Sequence, residues 1–326
     1  MKTLLTLLTA LLLITGCSQK KYFEPEDTEG SYSVDSKSIS ADIIGFNRSG
    51  ATLEDGQVIT NEDLKDFSLP EGYEFINYSE GKVIATNNKN KLLINDEKHI
   101  IDVEGIVVAA TLKDGVMAMV FSDNTLALYD TLKKKYLLKE YQTESLANDT
   151  RITNPIFMTN IVLFPTLNGK VVVVGIKENK IVKNIVVDAN GTFNNIIFLA
   201  VVNDTLVAAT ANKIVAVGTN NVNMKEYEVR DVVSNKNDLY VATIDGQLIK
   251  MDSNLNVIAQ KKYKFAKIYA LAFGTSLYAL ESQGFLINVD ENFLKDRIYD
   301  FSFNEEDKTI GLKNRFYFGD EYLEVK

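Results

Sequence analysis

The 326-residue sequence holds one cysteine, Cys17, and one histidine, His99, and reactive chemistry would be sought at these two first. His99 lies in Lys98-His99-Ile100-Ile101-Asp102, a stretch expected to be an outer strand. To serve as a general base it would need a nucleophile and an orienting partner, and the sequence shows neither. One His and one Cys cannot build a multi-histidine metal site, a disulfide framework, a haem-attachment pair or an iron–sulfur site. The acidic run Glu305-Glu306-Asp307 matches no calcium-loop spacing, and Asp188-Ala189-Asn190-Gly191 lacks the remaining ligands and distal Glu of one. Both read as turns or solvated surface. No glycine-rich stretch forms a phosphate cradle ahead of a helix. The sequence therefore predicts no catalytic, cofactor-binding or metal site. A net charge of −9 argues against general nucleic-acid binding, which needs a basic surface to displace counterions.

Cys17 has a context of its own. Met1-Lys2 precedes an apolar run from Thr3 to Thr15, too short to span a bilayer as a stable helix and typical of a secretory signal. The run ends in Ile14-Thr15-Gly16-Cys17, which resembles the bacterial lipobox. That resemblance implies a signal peptide over 1–16 and acylation of Cys17, which becomes the new N-terminus. The several chains so attached, at ~0.8 kcal/mol per buried CH₂, give stable anchoring. The mature chain then has no free thiol, which suits an oxidising periplasm. Ser18 is not the Asp that commonly retains such proteins at the inner membrane, and this implies the outer membrane, facing the periplasm. Residues 17–38 are mostly polar and read as a flexible tether, with an r.m.s. reach of about 25 Å.

The remainder, 39–326, is a repeat of short β-type runs in pairs around polar turns. The pairs are 50–54 with 57–60, 83–86 with 91–94, 116–121 with 125–129, and 161–165 with 170–174. They continue with 205–210 and 213–217, 239–243 and 247–251, 277–280 and 285–289, and 309–312 and 315–318. Asn, Asp and Gly recur between them because hairpin turns need positive φ. The turns fall about 34 to 45 residues apart, the period of a four-stranded β-propeller blade. Val83-Ile84-Ala85-Thr86, Val207-Ala208-Ala209-Thr210 and Tyr240-Val241-Ala242-Thr243 superimpose, and Leu277-Tyr278-Ala279-Leu280 keeps the Ala. The run 297–303 lines up with 267–273 as a strand preceding its pair. The expected fold is an all-β propeller of eight blades, or of seven if the first and last hairpins combine to close one.

Strand chemistry agrees with this. Inner strands of a blade are covered on both faces and should be continuously apolar, as in Ile161-Val162-Leu163-Phe164 and 196–202. Lys133-Lys134-Lys135 and Lys261-Lys262 fall where exposed outer strands need charge against edge aggregation. Two stacked sandwiches would explain the strands but not the period. A transmembrane barrel would need alternating strands of ~9–11 residues. Phe316, Tyr317, Phe318 and Tyr322 either pack a closing blade or form an exposed edge for a partner.

A lipobox, a polar tether and motifs such as Leu239-Tyr240-Val241-Ala242-Thr243-Ile244-Asp245-Gly246-Gln247-Leu248 resemble the PQQ-repeat-like propeller lipoproteins of the BamB type. The resemblance covers about 39–326. It implies a non-enzymatic scaffold that binds protein partners, among them the outer-membrane barrel-assembly machinery. An alternative is a surface-exposed adhesin or antigen on the same scaffold. Quinoprotein enzymes share the propeller but need a stacking Trp and usually a longer chain, and this sequence has no Trp.

Overall fold

The computed structural model describes residues 21–145, 147, 149–189 and 194–326. Cys17 and the expected signal peptide lie outside them. The described chain is a ring of eight four-stranded antiparallel blades. The first strand, β1 (Lys37–Ser38), belongs to the last blade. Blade 1 is β2 to β5 (Ile43–Asn47, Gly50–Leu53, Gln57–Thr60, Leu64–Ser68), and blade 2 is β6 to β9 (Glu74–Ser79, Lys82–Thr86, Lys91–Ile94, Asp96–Asp102). Blade 3 is β10 to β13 (Val107–Lys113, Val116–Phe121, Leu126–Asp130, Lys135–Glu140), and blade 4 is β14 to β17 (Ile156–Phe157, Ile161–Pro165, Lys170–Gly175, Lys180–Val186). Blade 5 is β18 to β21 (Phe198–Val202, Thr205–Ala209, Lys213–Val217, Val222–Glu226), and blade 6 is β22 to β25 (Val229–Asn235, Asp238–Thr243, Gln247–Asp252, Val257–Lys262). Blade 7 is β26 to β29 (Ile268–Phe273, Leu277–Glu281, Phe285–Val289, Asp296–Asp300), and blade 8 adds β30 to β32 (Thr309–Leu312, Arg315–Phe318, Glu321–Glu324). No helix among the described residues is long and apolar enough to cross a membrane.

The eight expected hairpins are all present. In seven blades they are the second and third strands, but in blade 8 they are the first and second. The chain's first strand completes that blade from outside, with Lys37 opposite Tyr322 and Ser38 opposite Glu321. This closure excludes the seven-blade alternative. The run 297–303 is not a strand preceding a pair: its β-part is β29, the outermost strand of blade 7. The resemblance to β26 reflects a shared Ile-Tyr alternation, which an outer strand with one covered face also shows.

The shared Ala-Thr motif has a local cause. Ala85, Ala209 and Ala242 are fully buried between blades. The Thr that follows caps the turn: hydroxyls of Thr86, Thr210 and Thr243 accept N–H bonds from Asn88 (3.2 Å), Asn212 (3.3 Å) and Gln247 (3.0 Å). Hydrophobic clusters fill each junction between neighbouring blades, such as Ile84, Met117 and Met119 between blades 2 and 3, and Val120, Phe164 and Val172 between blades 3 and 4. Each fully buried side chain of this kind contributes about 1.5–3 kcal/mol. Phe316, Tyr317 and Phe318 are buried in this system, so they pack the closing blade and form no exposed edge.

The tether expectation needs correcting over its described part. Phe23 is buried edge-on against Tyr263 (6.0 Å) and Phe285 (5.5 Å), at the junction of blades 6 and 7. Glu29 and Tyr32 then donate N–H bonds to the carbonyls of Ile298 and Asp300, and Asp300 donates back to Gly30, at 2.8, 3.2 and 2.9 Å. Tyr32 packs between Tyr278 and Tyr299 on the way to β1. Residues 23–38 thus form a strap along the rim. Polar composition is what an outermost strand needs as much as what a tether needs, so composition could not separate them.

Candidate functional site

Two places collect polar or exposed groups beyond what the ring requires: the axis, and a cleft under blades 2 and 3.

At the axis, inner strands carry a β-bulge near their start in blades 1, 2, 3, 6 and 7. A bulge turns one side chain away from the alternating pattern. In blade 6 the extra residue is Arg230, whose Nε donates to the Ile268 carbonyl (2.8 Å) and whose guanidinium lies over the Tyr269 ring (5.5 Å). Its neighbour Asp231 is buried and accepts N–H bonds from Val232 (2.9 Å) and from Leu271 in the next blade (2.8 Å). Asp231 also pairs with Arg48, which reaches across from the β2–β3 turn of blade 1 and covers the Phe198 ring.

The connector from blade 3 to blade 4 supplies the rest. Asp149 and Arg151 form a two-point ion pair, and Asp149 is bonded through its backbone to the Asn195 amide in both directions. Asn154 accepts from the Ala110 N–H (2.9 Å) and donates to Ser49 Oγ (2.8 Å), tying blades 3 and 1 to this connector. Burial pushes the Asp149 carboxyl up, but Arg151 more than offsets this and holds it below the usual carboxylate range. Burial and the nearby Arg151 push the Arg230 guanidinium down from its ordinary value. The arrangement is a polar brace that joins opposite sides of the ring.

The cleft is different. It has a volume of about 440 Å³ and is lined by Lys82, His99, Ile100, Ile101, Leu132 and Lys134, with neighbours from the same blades. Leu132 stands 85% exposed at the β12–β13 turn. Its turn is ordered by Asp130, whose carboxylate accepts the N–H of Leu132 (3.1 Å) and Lys133 (2.8 Å) and pairs with the Lys133 ammonium (3.1 Å). These bonds hold the Asp130 carboxyl below its ordinary pKa. The cleft thus carries a large apolar side chain on a hydrogen-bonded turn, with Lys82, Lys134 and Glu80 among the charged residues that line it.

The sequence-predicted positions fall as follows. His99 is on the outermost strand of blade 2, exposed, and lines the cleft. Glu305-Glu306-Asp307 forms a turn between β29 and β30, where Tyr269 Oη donates to the Glu305 carbonyl (3.1 Å). Asp188 is buried 3.9 Å from Lys213, not solvated; Asn190 and Gly191 lie outside the described residues. Sequence reasoning missed Arg48, Arg151, Arg230, Asp149, Asp231 and Leu132. An available signal was the charged pair Arg230-Asp231 between Val229 and Val232 on an inner strand.

No protein-family model matches the chain. Among solved structures, BamB from Moraxella catarrhalis superimposes with a TM-score of 0.65 at 13% identity, covering 88% of this chain and 99% of that one. The fold is that of a BamB-type β-propeller. The C-terminal WD40 domain of Sif2 (TM-score 0.63, 12% identity, 91% and 100% covered) and the designed protein Ika8 (0.57, 17%, 91% and 99%) share the architecture. In sequence, the chain is similar to plasminogen-binding protein PgbB of Helicobacter pylori. The protein of strain J99 is 28% identical over 99% of this chain and 71% of the relative, and that of strain 26695 is 27% identical with the same coverage.

Proposed function

We propose that this chain is a non-enzymatic, lipid-anchored propeller of the bacterial envelope that binds a protein partner through the cleft beneath blades 2 and 3. The single observation that carries the partner-binding reading is the similarity to PgbB, which spans 99% of this chain. Plasminogen is accordingly the partner to test first. The anchor would be the acylated Cys17, and Ser18 after it supports the outer membrane. The geometry supports the place of binding: Leu132 is an apolar side chain on an ordered turn, and Lys82 and Lys134 outnumber Glu80 in the lining of the cleft on a protein that is acidic as a whole.

Surface plasmon resonance of the purified protein over immobilised plasminogen, with PgbB alongside, tests this reading. Saturable binding weakened about tenfold by Leu132→Asp, or 1.4 kcal/mol, is expected. A second reading, assistance to outer-membrane barrel assembly, is favoured by the likeness to BamB, which extends to the fold alone at this identity. In-cell crosslinking that recovers the barrel-assembly machinery from wild type but not from Cys17→Ala would support it.

A further inference from the structure

The strap fixes one side of the ring next to the N-terminal segment. Phe23 is buried between Tyr263 and Phe285, and two residues before it the Lys21 ammonium lies 5.4 Å from the centre of the Phe265 ring. Phe265 is 40% exposed on the connector from blade 6 to blade 7, in a left-handed conformation (φ 68°). The Lys264 ammonium flanks the same ring at 5.1 Å. Residues 261–267 read Lys-Lys-Tyr-Lys-Phe-Ala-Lys, four cations and no acid in a chain of net charge −9. Lys261 and Lys262 are neutralised by Asp296 and Asp245. Among the described residues, Lys21 and Lys264 have no carboxylate in ion-pairing distance and are held only against the Phe265 ring.

From Cys17 to Lys21 is four residues, a reach of at most about 14 Å. We propose that the blade 6–7 rim is the membrane-facing surface of the protein, with Lys21 and Lys264 on anionic phospholipid headgroups and Phe265 at the interface between headgroups and acyl chains. This rests on lipidation at Cys17. The acyl chains supply the anchoring, and a short basic-aromatic patch beside them adds headgroup attraction on one side of the ring only. It also gives the ring a definite orientation. Leu132 is in blade 3, nearly across the ring, and on a hairpin between third and fourth strands, whereas Phe265 is on a blade-to-blade connector at the other face. The partner cleft then points away from the bilayer.

The absence of Trp makes a direct test simple. The Phe265→Trp lipoprotein is reconstituted into vesicles of phosphatidylglycerol and dibrominated phosphatidylcholine, and its emission is compared with that of Leu132→Trp. The intact mass of the same samples reports whether Cys17 carries lipid. Protein lacking the lipid is coupled through the Cys17 thiol to a maleimide lipid in the same vesicles, so the anchor reading can fail without the patch going unmeasured. Quenching of the Phe265→Trp emission but not of the Leu132→Trp emission is expected. Reversal of Lys21 and Lys264 to Glu should lower the docked population about fivefold per lysine. Equal emission from the two Trp proteins would overturn the proposal, and so would equal quenching in vesicles without phosphatidylglycerol.

Discussion

Arg48 and Asp231 are 183 positions apart in sequence and meet on the axis, with side chains only 20% and 5% exposed. Arg48→Ala would remove the ion pair of the buried Asp231 carboxylate and leave it two N–H donors and the weaker fields of Arg151 and Arg230, a change that costs about 2 kcal/mol. Urea unfolding should show this as a lower midpoint at unchanged slope. Asp149 makes a pH-dependent contribution with a definite sign. Its folded pKa is below the ordinary 3.8, so the stabilisation is complete above that value and is lost as pH falls through the folded pKa. Asp149→Asn should therefore cost about 2 kcal/mol at neutral pH, and the gap to wild type should close below about pH 4 in thermal melts across pH. These residues were hard to see in sequence because a charged pair spanning blades 1 and 6 leaves no local pattern. The lone His and Cys drew attention by rarity, while the arginines that brace the axis are of an ordinary type.

At the scale of the element, the hairpins were legible because their causes are local. A turn such as Asp245-Gly246 needs positive φ, and the flanking apolar runs fix the strands. Gly246 (φ 83°) is further constrained by the next connector, since an added Cβ would sit 2.3 Å from the Tyr263 carbonyl oxygen. Gly246→Ala is expected to cost about 3 kcal/mol, whereas Gly72→Ala, with similar φ and open space, should cost about 1, both read by urea unfolding. The strap was not legible, because its partners are 240 or more positions away: Phe23 packs on Tyr263, Glu29 bonds Ile298, and Lys37 pairs with Tyr322. Phe23→Ala should loosen it by about 2 kcal/mol. Hydrogen exchange should then speed up at the amides of Glu29, Tyr32 and Asp300 while the inner strands of blades 3 and 4 keep their protection.

As a whole molecule, the protein is a ring closed twice. The first strand completes the last blade at the rim, and Arg48, Asp231 and the 149–155 connector tie opposite blades at the centre. Such a ring gives a rigid platform on which an exposed turn keeps its shape, and the Leu132 turn above Asp130 uses it. The repeat period made the ring legible, because each blade cannot bury its faces alone. The partner did not follow from it, because one fold hosts many functions and the period of the repeat carries no information about which loop side chains meet a partner. The most direct measurement is the binding of the purified protein to immobilised plasminogen, with PgbB as the positive control. Saturable binding that Leu132→Asp weakens and Ser18→Ala leaves intact is the predicted result. No saturable binding under conditions where PgbB binds would contradict it.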